Sequence, residues 1–285
     1  MHSNKIEHGK LKVMEAVLKS AKAEKIPIAL IGASARDVFL VGIHNISPIR
    51  KTMDVDCAAK VKNWAHYGRL RNYLIEEMKF NEAPEENHPE RLIDPSGNCL
   101  DILPFGGVED KKEGYIVWPE DNVKMSIIGF DEAFQSAENL KVSDGSITLI
   151  IPVVSLSGIV LLKIIAWIDR ENDLRNRRKH VKDVYAIISH YSMINSDRLK
   201  TGTDSDLSEM YDNAILTGAR LPGRDLRRLC RKETKFQIDK LLKKQSEGKG
   251  ECLLNQDLRE HWRGSYARSR ELVQTLYKGF LEGNK

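Results

Sequence analysis

The sequence predicts an α+β protein. A mixed β-sheet flanked by helices fills the N-terminal half, residues 1–154, and an all-helical half follows, residues 155–285. Two observations carry this prediction. Short apolar runs with strand character alternate with helical patterns up to about residue 154, and no strand signal appears after residue 155. Size allows it: 285 residues, 41% hydrophobic and 30% charged, can bury one large core or two ordinary ones.

Residues 8–25 place apolar side chains at a spacing near 3.6 and predict a helix. "IPIALIG" is a short buried strand. "ASARDVFLVG" then predicts a helix starting just after Gly32 and stopping near Gly42. A polar loop over residues 44–52 leads to the strand "MDVDCAAKV", and residues 64–79 predict another helix. "ERLIDPSGNCLDILPF" reads as a hairpin turning at Pro-Ser-Gly-Asn, and "EGYIVWP", "KMSIIG", "LKV" and "SITLIIPVV" read as further strands. Helices are predicted over 155–171, 177–192, 206–216, 222–247 (whole or broken) and 255–281, with "INSDRLKTGTDSD" as a polar linker.

The longest apolar run, "ITLIIPVVSLSGIVLLKIIAWI", is interrupted by Pro152, Ser155, Ser157, Gly158 and Lys163. A strand, a turn and a buried helix fit it better than a membrane span, which needs about 20 apolar residues. The polar N-terminus carries no signal peptide pattern. Cys57, Cys99, Cys230 and Cys252 lack ligand spacing and read as reduced thiols of a cytoplasmic protein. Net charge is only +4, yet "DRENDLRNRRKHVKD" and "GARLPGRDLRRLCRKETK" concentrate basic residues. These are either solvated helix faces or a surface for phosphates and nucleic acid.

The candidate chemistry lies in "RKTMDVD". Side chains alternate across a strand, so Asp54 and Asp56 share one face while Met53, Val55 and Cys57 take the other. Asp101 repeats the pattern between Leu100 and Ile102. Carboxylates crowded on a strand face are either solvated at a sheet edge or held by divalent cations, and oxygen ligands suit Mg²⁺ or Mn²⁺. Upstream, a strand, the small residues Gly32-Ala33-Ser34 and a helix start follow one another. This is either an ordinary strand-to-helix turn capped by Ser34 or a turn whose N–H groups receive phosphate.

Taken together, "GASARD", "RKTMDVD" and the later "CLDILPF" resemble the DNA polymerase β-type nucleotidyltransferase superfamily. The form is most similar to the stand-alone bacterial nucleotidyltransferases, including AbiEii-type toxins and their MenT relatives. The resemblance covers residues 27–105 and, more weakly, 155–190. It implies a catalytic domain over 1–154 and a helical domain for acceptor or partner over 155–285. It also implies transfer of a nucleoside monophosphate from an NTP with two Mg²⁺ (or Mn²⁺) ions. Asp54, Asp56 and Asp101 would be the catalytic and metal-holding residues, with Asp101 also helping to activate the acceptor hydroxyl. Gly32, Ser34, Lys51 and Lys163 would bind the nucleotide, with Ala33 standing where the family has a second glycine. Lys182 and Asp183 fall in the basic helix that the family carries, where Asp183 would orient Lys163, while Arg36 would fix its helix to the sheet. A tRNA acceptor and an antitoxin partner fit the basic helical half and the toxin-like relatives; no membrane is expected. The competing readings are a catalytically silent nucleotide-binding module of the same fold and a phosphotransferase using the same site.

Overall fold

The computed structural model describes residues 6–47, 52, 54–84, 88–110, 114–119, 122–170, 173–210, 213–248, 252–261 and 265–283. The chain forms two compact units, Met1–Ser155 and Leu156–Lys285.

In the first unit, α1 (His8–Glu24) buries Leu11, Met14, Val17 and Ala21 along one face. It is followed by β1 (Ile28–Ile31) and α2 (Gly32–Asp37). A π-helical turn, Val38–Ile43, extends α2 to about where the sequence predicted its end. Next come β2 (Val55–Lys60) and α3 (Trp64–Glu76), the latter capped by the Asn63 side chain accepting from the His66 N–H. The short β3 (Asn81–Glu82) precedes the predicted hairpin, β4 (Arg91–Ile93) and β5 (Cys99–Phe105). The strands β6 (Glu109–Asp110), β7 (Tyr115–Val117) and β8 (Lys124–Ser126) form a separate three-stranded sheet. A helix that the sequence reading missed, α4 (Phe130–Gln135), has only six residues, too few to display a period. Finally β9 (Glu138–Ser143) and β10 (Thr148–Val153) form a hairpin.

The main sheet has the order β3-β4-β5-β2-β1-β10-β9. It is mixed, as predicted: β2 pairs parallel with β5, and β1 pairs antiparallel with β2 but parallel with β10. Val55, Cys57, Leu100 and Ile102 are fully buried, so the apolar faces of β2 and β5 point into the core.

The second unit is helical throughout the described residues: α5 (Leu156–Asp169), α6 (Leu174–Ile194), α7 (Ser196–Lys200), a 3₁₀ turn (Ser205–Met210), α8 (Ala214–Leu229), α9 (Lys232–Glu247), α10 (Leu253–His261) and α11 (Tyr266–Glu282). Three expectations need correction. The expected polar linker contains α7, the helix expected over 255–281 is two helices, and Pro222 lies inside α8 rather than at a helix start. An interior proline costs a helix about 3 kcal/mol. Burial outweighs it here, because every residue from Thr217 to Arg224 is buried. Close approach requires glycines at the crossings. A Cβ on Gly218 would lie 2.1 Å from the Ile188 carbonyl oxygen of α6, and one on Gly223 would lie 2.2 Å from the Leu276 carbonyl oxygen of α11.

The arginines of α8 turn inward onto acids. Arg224 pairs with Asp204, Asp206 and Glu282, Arg220 with Glu282, and Arg228 with Asp204 and Asp225. Arg198 joins them through Asp204 and Asp225. Arg227 lies 5.4 Å from the Phe280 ring centroid. On α6, Arg177 and Arg178 both pair with Asp257, and Arg178 also with Glu260. These ion pairs hold helices together, and the buried Arg177, Arg220 and Arg224 do not form a solvated face. No helix among the described residues is long and apolar enough to cross a membrane.

Two predictions follow from this packing. Gly223→Ala should destabilise by about 1–3 kcal/mol in urea unfolding because the new methyl meets backbone. Gly68→Ala, in α3, has no heavy atom within 4 Å of the new carbon. It should stabilise by about 0.5–1 kcal/mol through helix propensity, and equal effects of the two changes would refute the packing argument. The second concerns acid. Burial pushes the Asp204 carboxyl up, but Arg198, Arg224 and Arg228 outweigh it and hold it well below its ordinary value. Arg220 and Arg224 lower Glu282 against its burial, and hydrogen bonds from Arg224 lower Asp206. Depressed native values mean the stabilisation is complete above the unfolded-state values of about 4 and is lost as pH falls below them. Asp204→Asn should lower the melting temperature at pH 7 and shrink the further drop between pH 5 and pH 3, as read by circular dichroism.

Candidate active site

The site begins where β1 ends. Gly32 adopts φ 67°, a left-handed conformation, and a Cβ there would lie 2.2 Å from Oδ2 of Asp56. Any larger residue would be strained and would also displace that carboxylate. Two residues on, the buried Ser34 hydroxyl donates to the Asp54 carbonyl at 2.6 Å, tying the start of α2 to the chain just ahead of β2. Its one proton is thus engaged by the segment that carries the first acid.

Register sets the remaining positions. On the parallel pair β2/β5, Asp56 stands beside Asp101; on the antiparallel pair β4/β5, Arg91 stands opposite Asp101. Paired residues on neighbouring strands share a face, so Arg91, Asp101 and Asp56 form a row across three strands. Arg91 closes on the acids: its Nε and Nη2 donate to the two oxygens of Asp101 at 2.8 Å each, and Nη2 reaches Oδ2 of Asp54 at 3.4 Å. Asp101 is buried and Arg91 nearly so, with 18% of its side chain exposed, whereas 38% of the Asp54 side chain remains open. Hydrogen bonds to Asp101 raise the Arg91 pKa above its ordinary value against the opposing effect of burial. On the opposite face, burial pushes the Cys57 thiol well up, and the charges of Asp56 and Asp101 push the same way.

Arg91 is the residue that sequence reasoning missed. The signal was present in the hairpin. Asp94 accepts from the N–H groups of Ser96 and Asn98 at 2.9 and 2.7 Å, and Gly97 takes φ 85°. That Asx-type turn fixes the pairing of Ile93 with Cys99, and counting outward brings Arg91 opposite Asp101.

Carboxylate oxygens are the donor set that Mg²⁺ or Mn²⁺ takes, and Asp54, Asp56 and Asp101 supply it. The chemistry therefore fits. As the side chains stand, no group of three or more His, Cys, Asp or Glu among the described residues has a geometry to hold an ion. Arg91 offsets the charge of Asp101 and Asp54.

Of the other expected residues, Lys51 lies outside the described residues. Arg36 is 1% exposed and pairs with its neighbour on α2, Asp37, at 2.6 Å. In the second unit, Lys163 of α5 pairs with the fully buried Asp183 of α6 at 2.8 Å, and Lys182 beside it is half-buried. Beside the acids' strand, a cavity of about 400 Å³ is walled by Trp64, Tyr67, Arg71, Glu82, Arg91 and Trp118.

Three comparisons bear on identity. Two solved structures of the antibiotic-resistance factor ANT(2'')-Ia are similar, one in solution and one a crystal complex with adenylyl-2''-tobramycin. They are 16% and 17% identical to this chain, cover 68% and 62% of it and 98% and 91% of their own chains, and give TM-scores of 0.36 and 0.35. Scores this low leave the chemistry of the present chain to its own residues. No curated protein matches. A family model described as nucleotidyl transferase AbiEii toxin, type IV toxin–antitoxin system, matches residues 43–268, and the chain therefore belongs to the AbiEii nucleotidyltransferase family.

Proposed function

We propose that this nucleotidyltransferase moves a nucleoside monophosphate from an NTP to an acceptor hydroxyl, with Asp54, Asp56 and Asp101 as its catalytic carboxylates. The observation that carries the reading is the side-by-side register of Asp56 and Asp101, with Asp54 joined to them through Arg91. Two Mg²⁺ or Mn²⁺ ions held by these acids would supply charge stabilisation for the triphosphate and lower the acceptor's pKa. Backbone N–H groups of the turn at Gly32, which has no side chain of its own, suit the β- and γ-phosphates once the charge of the adjacent Asp56 carboxylate is neutralised. The acceptor oxygen attacks the α-phosphorus, the bond to pyrophosphate breaks, and an Oδ atom of Asp101 takes the hydroxyl proton. Lys163 is a candidate phosphate ligand by residue type, with Asp183 orienting its ammonium.

For a tRNA acceptor, the support moves from the paired arginines of α8 to α9. Lys232, Phe236, Lys240 and Lys243 follow one another on its outer face at helical spacing, with Phe236 69% exposed. Phosphates meeting the lysines and a base stacking on the phenylalanine is how single strands are held. Membership in a type IV toxin–antitoxin family makes an antitoxin protein the expected regulator of this chain.

The test is label transfer. Purified protein with each α-³²P NTP, Mg²⁺ and total tRNA should transfer label, and Asp54→Ala, Asp101→Ala and Gly32→Ala should each lose at least about 100-fold. Lys163→Ala should reduce transfer as well. Bound NTP with no transfer across several acceptor pools would favour the silent module, and transfer of γ-label would favour a phosphotransferase. For the acceptor, Lys240→Glu with Lys243→Glu should weaken tRNA binding and flatten its dependence on salt, while Arg228→Glu should chiefly lower the melting temperature.

A further inference from the structure

A guanidinium forked on a carboxylate cannot be released by deprotonation, because arginine keeps its charge at any working pH. Asp101 therefore has both oxygens occupied for as long as Arg91 stays in place. In that state it is a weaker base, and any cation that binds must share an oxygen with the guanidinium and meet its charge. Asp54 is engaged by the same guanidinium. Yet removing the arginine with nothing in its place would leave a buried carboxylate crowded by two others, which is costly.

We propose that Arg91 is an exchangeable counter-ion: it holds Asp101 and Asp54 in the resting protein and swings off them when a divalent cation binds. This rests on reading the acids as a cation site. Three observations favour exchange over a permanent ion pair. The contact to Asp54 is long, at 3.4 Å, and Asp54 is partly open, so a cation has an approach. Arg91 borders the cavity of about 400 Å³, which gives the side chain room to leave. Glu82, exposed on the wall of that cavity and held by Arg71 through Oε1 at 3.3 Å, is a carboxylate whose second oxygen can take the guanidinium. Charge drives the exchange, because a divalent ion among the acids repels a guanidinium a few ångströms away.

Arg91 is thus a positioning residue whose grip competes with the metal. The clamp keeps the empty site folded and sets how much Mg²⁺ or Mn²⁺ is needed to prepare it. A purely structural arginine would support metal binding instead, by keeping the acids in place.

Mn²⁺ titration of the whole protein, followed by electron paramagnetic resonance without any nucleotide, separates these roles. Arg91→Gln should bind Mn²⁺ about 10- to 100-fold more tightly than the natural protein, the size expected from losing a charged hydrogen-bond pair in competition. Its melting temperature should be lower without metal and should rise more on adding Mn²⁺. Arg91→Lys, which retains the charge but not the fork, should fall between, and it serves if the glutamine variant does not fold. In the natural protein, the Nε–H resonance of Arg91, assigned by its loss in Arg91→Lys, should shift on Mg²⁺ addition with the same midpoint as metal binding. Unchanged or weaker Mn²⁺ binding in the folded variants, or a resonance unmoved at saturating Mg²⁺, overturns the proposal. Mn²⁺ binding that survives Asp101→Asn unchanged overturns it together with the cation reading of the acids. Tighter binding in Arg91→Gln without any label transfer upholds the exchange and discards nucleotidyl transfer alone.

Discussion

Like-charge crowding at one end of β2 and β5 is the constraint around which the first unit is organised. Parallel register places Asp56 beside Asp101, and the two carboxylates cannot be drawn apart without breaking the centre of the sheet. Each nearby oddity answers to that crowding. Gly32 leaves its Cβ position to the Asp56 carboxylate, Ser34 holds the Asp54 segment by its carbonyl, and the Asp94 turn delivers Arg91 to the row. None of these residues improves the core. They stabilise an arrangement of charge that a protein selected for stability alone would replace with apolar side chains.

The second unit resolves its charge differently. Its arginines and acids are matched within the helical stack, with Asp204 fully buried among three guanidinium groups. Satisfied in this way, the charges add to the close glycine contacts that set the position of α8 against α6 and α11. The contrast with the acids of the first unit is informative. There, among the described residues, one guanidinium is shared by Asp101 and Asp54, two carboxylates to one cation. A deficit of that kind is what a cation-binding site needs and what a purely structural network avoids.

Much of this was legible in the sequence because it depends on local pattern. The period-two alternation of "MDVDCAAKV" gave buried Val55 and Cys57 with the acids turned the other way, and the loss of strand signals after residue 155 marked the change to helices. What escaped depended on partners distant in the chain. A run such as "GARLPGRDLRRLCRKETK" has the composition of a nucleic-acid surface, and only the fold brings Asp204, Asp225 and Glu282 against it. Pro222 looked like a helix boundary because its local cost is large, while the burial that offsets it is tertiary. Arg91 is the intermediate case. Its place followed from a hairpin already recognised, yet charge alone does not distinguish an arginine aimed at the acids from one in solvent.

On the proposed reading, the arginine also orders the events of a turnover. The acids with Arg91 carry a formal charge of −2, so a triphosphate arriving alone meets repulsion. A nucleotide carrying two divalent ions would be close to neutral and would escape that repulsion, and Arg91 would then leave Asp101. The proton acceptor is then freed only after a divalent ion is in place. Water or a wrong hydroxyl entering earlier meets a carboxylate whose oxygens are both engaged. Idle chemistry is thereby suppressed by the enzyme's own side chain, before any antitoxin acts. Restraint of this kind need not be strong. A clamp weak enough to yield to metal-bound nucleotide suffices, because the empty site and the loaded site differ in charge and not only in shape.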